Sequence, residues 1–388
     1  MNKIFRLLFV FSFFLLSVLS GKEIIDMRGK KVTIKEPLQS VATISDGFVE
    51  GVMTHLGVID KVKVIGSWSL KRDYKYDFTT TKGEKYSLSG LNTMKYLHPW
   101  LDELPCVNSP QGNIINYEEL AKANPDLIIL RVGDCTLRGG NEENIQKTIK
   151  TIENLGLNLA VIFSPSYYKK ADLSTMKDEI KVIGEIFDES HKALKLYDYL
   201  SFTQNLIKER TKDIKDKKTV LYLGLSPAAR KKGGMGLVHG INTPESFIIE
   251  NIINAKNAFV HNGENVMLNA EQIYALDPDV ILLPTMNGYH PASELLDSPD
   301  FTVLNELRAV KEKNVYALPW SPMNCSRRVE YPLDMIIMAK AIYPDKFSDI
   351  KVHEFILKFY KDVYHVDENA AKALRSEQIL DWTLESDF

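Results

Sequence analysis

Arginine and aromatic side chains recur just beyond the short apolar runs of this sequence, and that pairing suits a bulky anion carrying organic rings. Ser45 and Asp46 follow a run at 41–44, Trp68 one at 62–65, Arg131 one ending at 130, and Ser164, Tyr167 and Tyr168 one at 159–163. In the second half, Ser226 and Arg230 follow 219–223, and Asn287, Tyr289 and His290 follow 280–283. The stretch from Trp320 through Arg327 and Arg328 follows 315–318. A guanidinium fork pairs carboxylates and delocalised oxyanions, while aromatic faces give flat apolar walls. In open α/β sheets, ligands sit outside the carboxyl ends of the strands, where these residues fall. Trp320, between an apolar run and Ser-Pro, is the leading candidate.

Other chemistries fit less well. The eight histidines are scattered, with no HxH or HxxxH pair. A free transition metal needs convergent histidine and carboxylate ligands, so neither a protein-held metal nor an intrinsic cofactor is expected. His290 stands alone, which favours a hydrogen-bonded loop residue over a metal ligand. Tyr167 and Tyr289 have the chemistry to ligate ferric iron, although an exposed loop tyrosine is the commoner case. Gly224-Leu-Ser-Pro-Ala228 has the outline of a nucleophile elbow. The oxyanion hole of such an elbow uses the N–H after the nucleophile, and Pro227 has none. No catalytic residue is therefore assigned. An exported two-lobed metal-site or hydrolytic enzyme remains the alternative to a binding module. A signalling subunit that binds ligand without transport is a third reading.

These positions are organised by a repeat. Asn116-Tyr-Glu-Glu-Leu-Ala-Lys-Ala-Asn-Pro-Asp-Leu-Ile-Ile-Leu130 recurs as Asn269-Ala-Glu-Gln-Ile-Tyr-Ala-Leu-Asp-Pro-Asp-Val-Ile-Leu-Leu283. Each copy reads as an Asn-capped helix of two turns with Glu118 or Glu271 in its first turn. Pro-Asp then stops the helix, and an apolar strand follows. Two copies this far apart fit two similar α/β lobes facing one another, with ligand between them. Strands alternating with helices predict mostly parallel sheets covered on both faces. A helical pattern without Gly or Pro runs from about 188 to 213 between the halves, as a rigid connector would. The division is a signal segment at 1–20, a first lobe at 21–187, a connecting helix at 188–214 and a second lobe at 215–388. Residues 69–105 lack clear periodicity and read as a long loop or insertion.

The bulk composition limits the partners. With 48 basic and 51 acidic residues, the chain carries a formal charge of −3 and no footprint for nucleic acid. Lys3 and Arg6 before an apolar stretch at 7–19 form a secretory signal pattern with cleavage before Gly21. No cysteine follows it, so a soluble, non-lipidated periplasmic monomer is expected. Of Cys106, Cys135 and Cys325, the first two could form a bridge within the first lobe, or all three could be free thiols.

Several segments resemble one family. Asp26-Met-Arg-Gly-Lys-Lys-Val-Thr-Ile34, Gly57-Val-Ile-Asp-Lys-Val-Lys-Val-Ile-Gly66 and both Glu…Pro-Asp copies are similar to its marks. So are Leu307-Arg-Ala-Val-Lys-Glu-Lys-Asn-Val-Tyr316 and Met338-Ala-Lys-Ala-Ile-Tyr-Pro-Asp-Lys-Phe347. The family is that of the class III solute-binding proteins of ABC importers, which serve ferric siderophores, haem and cobalamin. The resemblance spans nearly the whole chain beyond the signal segment. It implies two Rossmann-like lobes joined by one long helix, and capture of a metal–organic complex such as an iron chelate, haem or corrinoid. Glu118 and Glu271, one per lobe, would dock onto basic pockets of the membrane permease. The insertion at 69–105 departs from the pattern, and ligand residues do not transfer across the family's branches.

Overall fold

The computed structural model describes residues 21–108, 114–139, 141–168, 172–285, 289–320 and 328–388. The signal segment, Asn287, Cys325 and Arg327 lie outside these residues. The chain opens with an antiparallel hairpin, β1 (Gly21–Ile25) and β2 (Lys31–Lys35), turning at Gly29 with φ 75°. The first sheet uses β3 (Val41–Ile44) and β4 (Val62–Ile65). A second hairpin, β5 (Asp73–Thr79) with β6 (Lys85–Leu91), precedes the remaining strands β7 (Leu127–Val132) and β8 (Leu159–Phe163). All four strands of this sheet run parallel, in the order β4-β3-β7-β8. Most of their residues are buried, as parallel strands covered on both faces must be.

The 22-residue helix Ser190–Thr211 then leads to the second sheet. That sheet contains β9 (Thr219–Gly224), β10 (Gly236–Val238), β11 (Lys256–Asn257), β12 (Val266–Leu268), β13 (Val280–Leu283) and β14 (Val315–Ala317). Strands β9, β11, β13 and β14 pair in parallel, while β10 and β12 add an antiparallel edge. The result is two α/β lobes with mostly parallel sheets joined by one long helix. A single apolar core runs from the first lobe through Ala193, Leu196, Leu200 and Ile207 of that helix into the second lobe. Helices Tyr331–Ile342 and Val352–Tyr364 extend this core, and Glu368–Glu377 packs on β6. Among the described residues, no helix is long and apolar enough to cross a membrane.

The repeated segment builds the same joint twice. Asn116 accepts a hydrogen bond from Glu119 N at 3.0 Å and starts helix Tyr117–Ala123. Asn269 accepts from Gln272 N at 2.9 Å and starts Ala270–Leu276. Asn124 and Asp277 end these helices in the left-handed conformation, which short polar side chains tolerate. The aspartate after each proline then clips the central strand of its sheet. Asp126 accepts from Ser40 N at 3.0 Å ahead of β3, and Asp279 accepts from Thr219 N at 2.7 Å in β9.

Two expectations need correction. Residues 69–105 are not a loop, because β5 and β6 pair in register over seven positions. Alternation sets Tyr74, Tyr76 and Phe78 on one face of the ribbon and Lys75, Asp77 and Thr79 on the other. A lone two-stranded ribbon is marginal in water, and this one is held by the second lobe. Tyr74 Oη donates to Tyr289 O at 2.5 Å, Thr81 N to Asp297 O at 2.7 Å, and Gln378 Nε2 to Leu91 O at 2.9 Å. Gly90 lies so close to Glu377 that an added Cβ would sit 2.3 Å from its carbonyl oxygen. Gly90→Ala is expected to lift the ribbon from that helix and cost about 1–3 kcal/mol in a urea titration. The second correction concerns the cysteines. Cys106 is a free thiol and Cys135 is disulfide-bonded, so the two are not bridged to each other.

Candidate functional site

Residues just past the carboxyl ends of parallel strands in both sheets make contacts across the seam between the lobes, Asp46 after β3 with Arg328 and Trp320 after β14 with Tyr74. On the first lobe, β3 ends at Ser45 and Asp46, β4 at Ser67 and Trp68, and β7 at Asp134. Asp46 is fully buried and accepts hydrogen bonds from the hydroxyls of Ser67, at 2.6 Å, and Ser69. Its backbone N–H donates to Asp134 Oδ2 at 2.9 Å. Trp68, at 43 % exposure, is the open aromatic of this rim.

Arg328 crosses the seam from the second lobe. Its Nε donates to Asp46 O at 2.9 Å, and its Nη2 lies 3.7 Å from Asp46 Oδ2. That separation makes an ion pair but no hydrogen bond, and Nη2 is buried without a hydrogen-bond partner. Gly47, at φ 96°, permits this approach, since a Cβ there would meet Arg328 Nε at 3.1 Å. Trp320, 1 % exposed, has a second orphaned donor in its indole Nε1. Buried donors are nearly always paired, so two orphans near a strand-end seam mark a place for acceptor atoms.

The hairpin β5–β6 closes over the second-lobe side. The Tyr74 ring packs 5.4 Å from that of Trp320, and Tyr289 and Ala317 complete the cluster. Tyr76 Oη donates to Glu294 Oε1 at 2.6 Å. His290 Nδ1 is 2.8 Å from Glu294 Oε2, and Arg230 Nη1 is 3.4 Å from Oε1. Arg230 also lies over the Phe301 ring at 5.1 Å. Burial raises the phenol pKa of Tyr74, Tyr76 and Tyr289, so all three stay protonated.

Arg131 sits elsewhere. β7 runs on to Val132, so Arg131 lies inside the strand and its side chain turns onto the sheet face. There it is fully buried, with Nε donating to Glu179 Oε2 at 2.5 Å and its guanidinium 4.0 Å from the Phe48 ring centroid. Burial pushes the Glu179 carboxyl up to about 7 against the pull of Arg131. Glu50, also fully buried, is pushed up to about 7 by desolvation and by its neighbours Asp134 and Asp46. Tyr167 stacks on Phe163 at 4.3 Å and donates to Glu142 Oε2 at 3.1 Å, near the end of β8. Ser226 precedes helix Pro227–Lys231.

The structure thus brings Trp320, Tyr289, His290 and Arg230 together under the hairpin, and Arg328 against Asp46. Tyr74, Tyr76 and Glu294 join them without having been singled out from sequence. The alternation of 74–78 around a Lys82-Gly83 turn was the available hairpin signal. Glu118 and Glu271 are both exposed in the first turns of their helices. Among the described residues, no group of three or more histidines, cysteines or acids is placed to hold a metal ion.

No curated protein matches this chain by sequence. Solved structures share its fold over nearly their full length. A periplasmic solute binding protein from Veillonella parvula aligns with a TM-score of 0.69 at 21% identity, covering 95% of this chain and 100% of its own. The molybdate-bound periplasmic binding protein MolA of Haemophilus influenzae gives 0.63 at 17%, covering 89% and 98%. CeuE of Helicobacter pylori with Ni(II) bound gives 0.62 at 18%, covering 90% and 98%. The family model described as periplasmic binding protein matches residues 79–322, more than half of the sequence, and this chain belongs to that family.

Proposed function

We propose that this protein captures an anionic metal–organic complex, of the iron-chelate kind, in the seam between its lobes and delivers it to an ABC importer in the periplasm. The observation that carries this reading is Arg328. It spans the two lobes, and one arm of its guanidinium is buried without a hydrogen bond, as is the indole Nε1 of Trp320. An oxyanion group accepts from such donors, and the surrounding tyrosines and Trp68 supply walls for a ring system. Among proteins of similar fold, MolA is bound to molybdate, CeuE to Ni(II), and one from Pseudomonas aeruginosa is a periplasmic heme binding protein. That range supports an oxyanion or metal complex as the ligand class.

The test is metal analysis and mass spectrometry of what co-purifies with the protein from its native source, followed by fluorescence titration with the compound found. Quenching of tryptophan emission with the compound recovered unchanged is expected. Arg328→Lys, which keeps the charge but loses the fork, is expected to weaken binding by about tenfold or more. A neutral ligand, unaltered affinity in this variant, or chemical conversion of the compound would overturn the reading.

Docking onto the permease is assigned to Glu118 and Glu271. Both occupy matching exposed positions, one per lobe, at the first turn of matching helices. The double change Glu118→Ala with Glu271→Ala is expected to abolish uptake in a cell-based transport assay and leave ligand affinity intact. Undiminished uptake would remove them from the interface.

A further inference from the structure

Away from the seam, the connecting helix borders a cavity of about 360 Å³, a size within the range of small-molecule sites. His55 reaches it from the end of helix Phe48–Leu56, and His365 from the end of helix Val352–Tyr364. Lys192, Lys195, Leu196 and Tyr199 line it from helix Ser190–Thr211. Its walls therefore come from the first lobe, the connector and the second lobe together.

The charges in this cavity are unbalanced. Lys192 is paired with Glu189 at 2.9 Å. Lys195 has no ion pair or hydrogen bond among the described residues. The one acid in the lining, Asp362, is already held by Lys358 at 2.5 Å and by the Tyr199 hydroxyl. The carbonyl of Val363 is taken as well, since His55 Nδ1 donates to it at 2.8 Å. That bond fixes the neutral tautomer, with the proton on Nδ1. The two imidazole rings lie 5.1 Å apart between centroids. Leu196, Val363, the Tyr199 ring and the lysine stems form an apolar body behind these polar groups. A metal ion is disfavoured here, because two ammonium groups flank the imidazoles.

We infer that this cavity is a second ligand site, for a small amphipathic anion whose carboxylate or sulfonate meets Lys195 and the paired histidines while its apolar part lies on Leu196 and Val363. Burial, His365 and Lys192 all hold the His55 pKa below its ordinary value. An anion between the rings would favour the protonated form. Binding is thus coupled to proton uptake at His55 and should tighten as pH falls. The charged and titratable groups facing His55 are His365, Lys192, Lys195 and the ion-paired Asp362.

The experiment is a fluorescence titration of the intact protein with 1-anilinonaphthalene-8-sulfonate, with octanoate as competitor. Saturable binding displaced by octanoate and tighter at pH 6 than at pH 8 is expected. The double variant Lys195→Glu with His365→Glu changes two exposed side chains. It is expected to weaken binding by about tenfold or more while its circular dichroism stays unchanged. Unaltered affinity in that variant, or failure of octanoate to compete, would overturn the site. As a check on the unmutated protein, octanoate should shift the imidazole NMR signals of His55 and His365. Unmoved signals at saturation would equally overturn it.

Discussion

Replacing Arg131 with methionine is expected to destabilise the protein by about 3–5 kcal/mol, the cost of stripping a buried ion pair of one partner. Arg131 and Glu179 are both fully buried, and Arg131 also offsets the charge of Asp134 nearby. Without it, two carboxylates are left in the core of the first lobe with their counter-charge gone. The double variant Arg131→Met with Glu179→Met removes both charges at once and keeps an apolar surface against Phe48. It should recover the share of the loss that Glu179 causes, since buried ion pairs are commonly replaceable by packed apolar groups, while Asp134 stays without its counter-charge. Urea titrations of the two single variants and the double variant would measure the coupling. A loss below about 1 kcal/mol in Arg131→Met would show the pair to be solvated, as exposed pairs of that worth are. The same experiment separates a structural arginine from a ligand arginine, because Arg328→Lys is expected to change ligand affinity in the first place.

Stability is also expected to fall as pH rises through the neutral range, with Glu50 as a principal cause. Its carboxyl is pushed from 4.5 to about 7 by complete burial and by Asp134 and Asp46. An acid whose folded-state pKa lies above its unfolded value binds its proton more tightly when folded. Stability is then greatest below about 4.5 for this group and is lost progressively as pH rises to about 7. The gap corresponds to a loss on the order of 3 kcal/mol. Glu50→Gln retains an oxygen able to accept from Gly47 N, the bond Glu50 Oε2 makes at 3.2 Å, and carries no charge. Denaturation midpoints at pH 5 and pH 7.5 should therefore draw together in this variant, with a gain at the higher pH. An unchanged pH dependence would show that Glu50 is ionised throughout or that its proton is released elsewhere.

Much of the architecture was legible because its causes are local. The repeated Asn…Pro-Asp segments carry their own cap, stop and strand, and each folds as read. The uninterrupted helical pattern near 188–213 became helix Ser190–Thr211. Parallel strands followed from apolar runs alternating with helices. The hairpin at 73–91 was missed because its stability comes from the second lobe, through Tyr289, Asp297 and Gln378. Arg131 was placed one residue beyond a strand that continues past it. A short shift in a strand end moves a side chain from the rim onto a buried face.

The sequence by itself determined the two lobes, the rod between them and the strand ends that carry Asp46 and Trp320. Those features depend on caps, breakers and apolar periodicity, which act over a few residues. Tertiary structure alone decided which of those side chains meet. It set Arg328 against Asp46 across 282 positions of chain, laid Tyr74 over Trp320, and drew Arg131 inward to Glu179. The physical reason is that a buried charge or donor takes whatever partner the packed lobes present, and that choice is made by contacts between segments far apart in the chain.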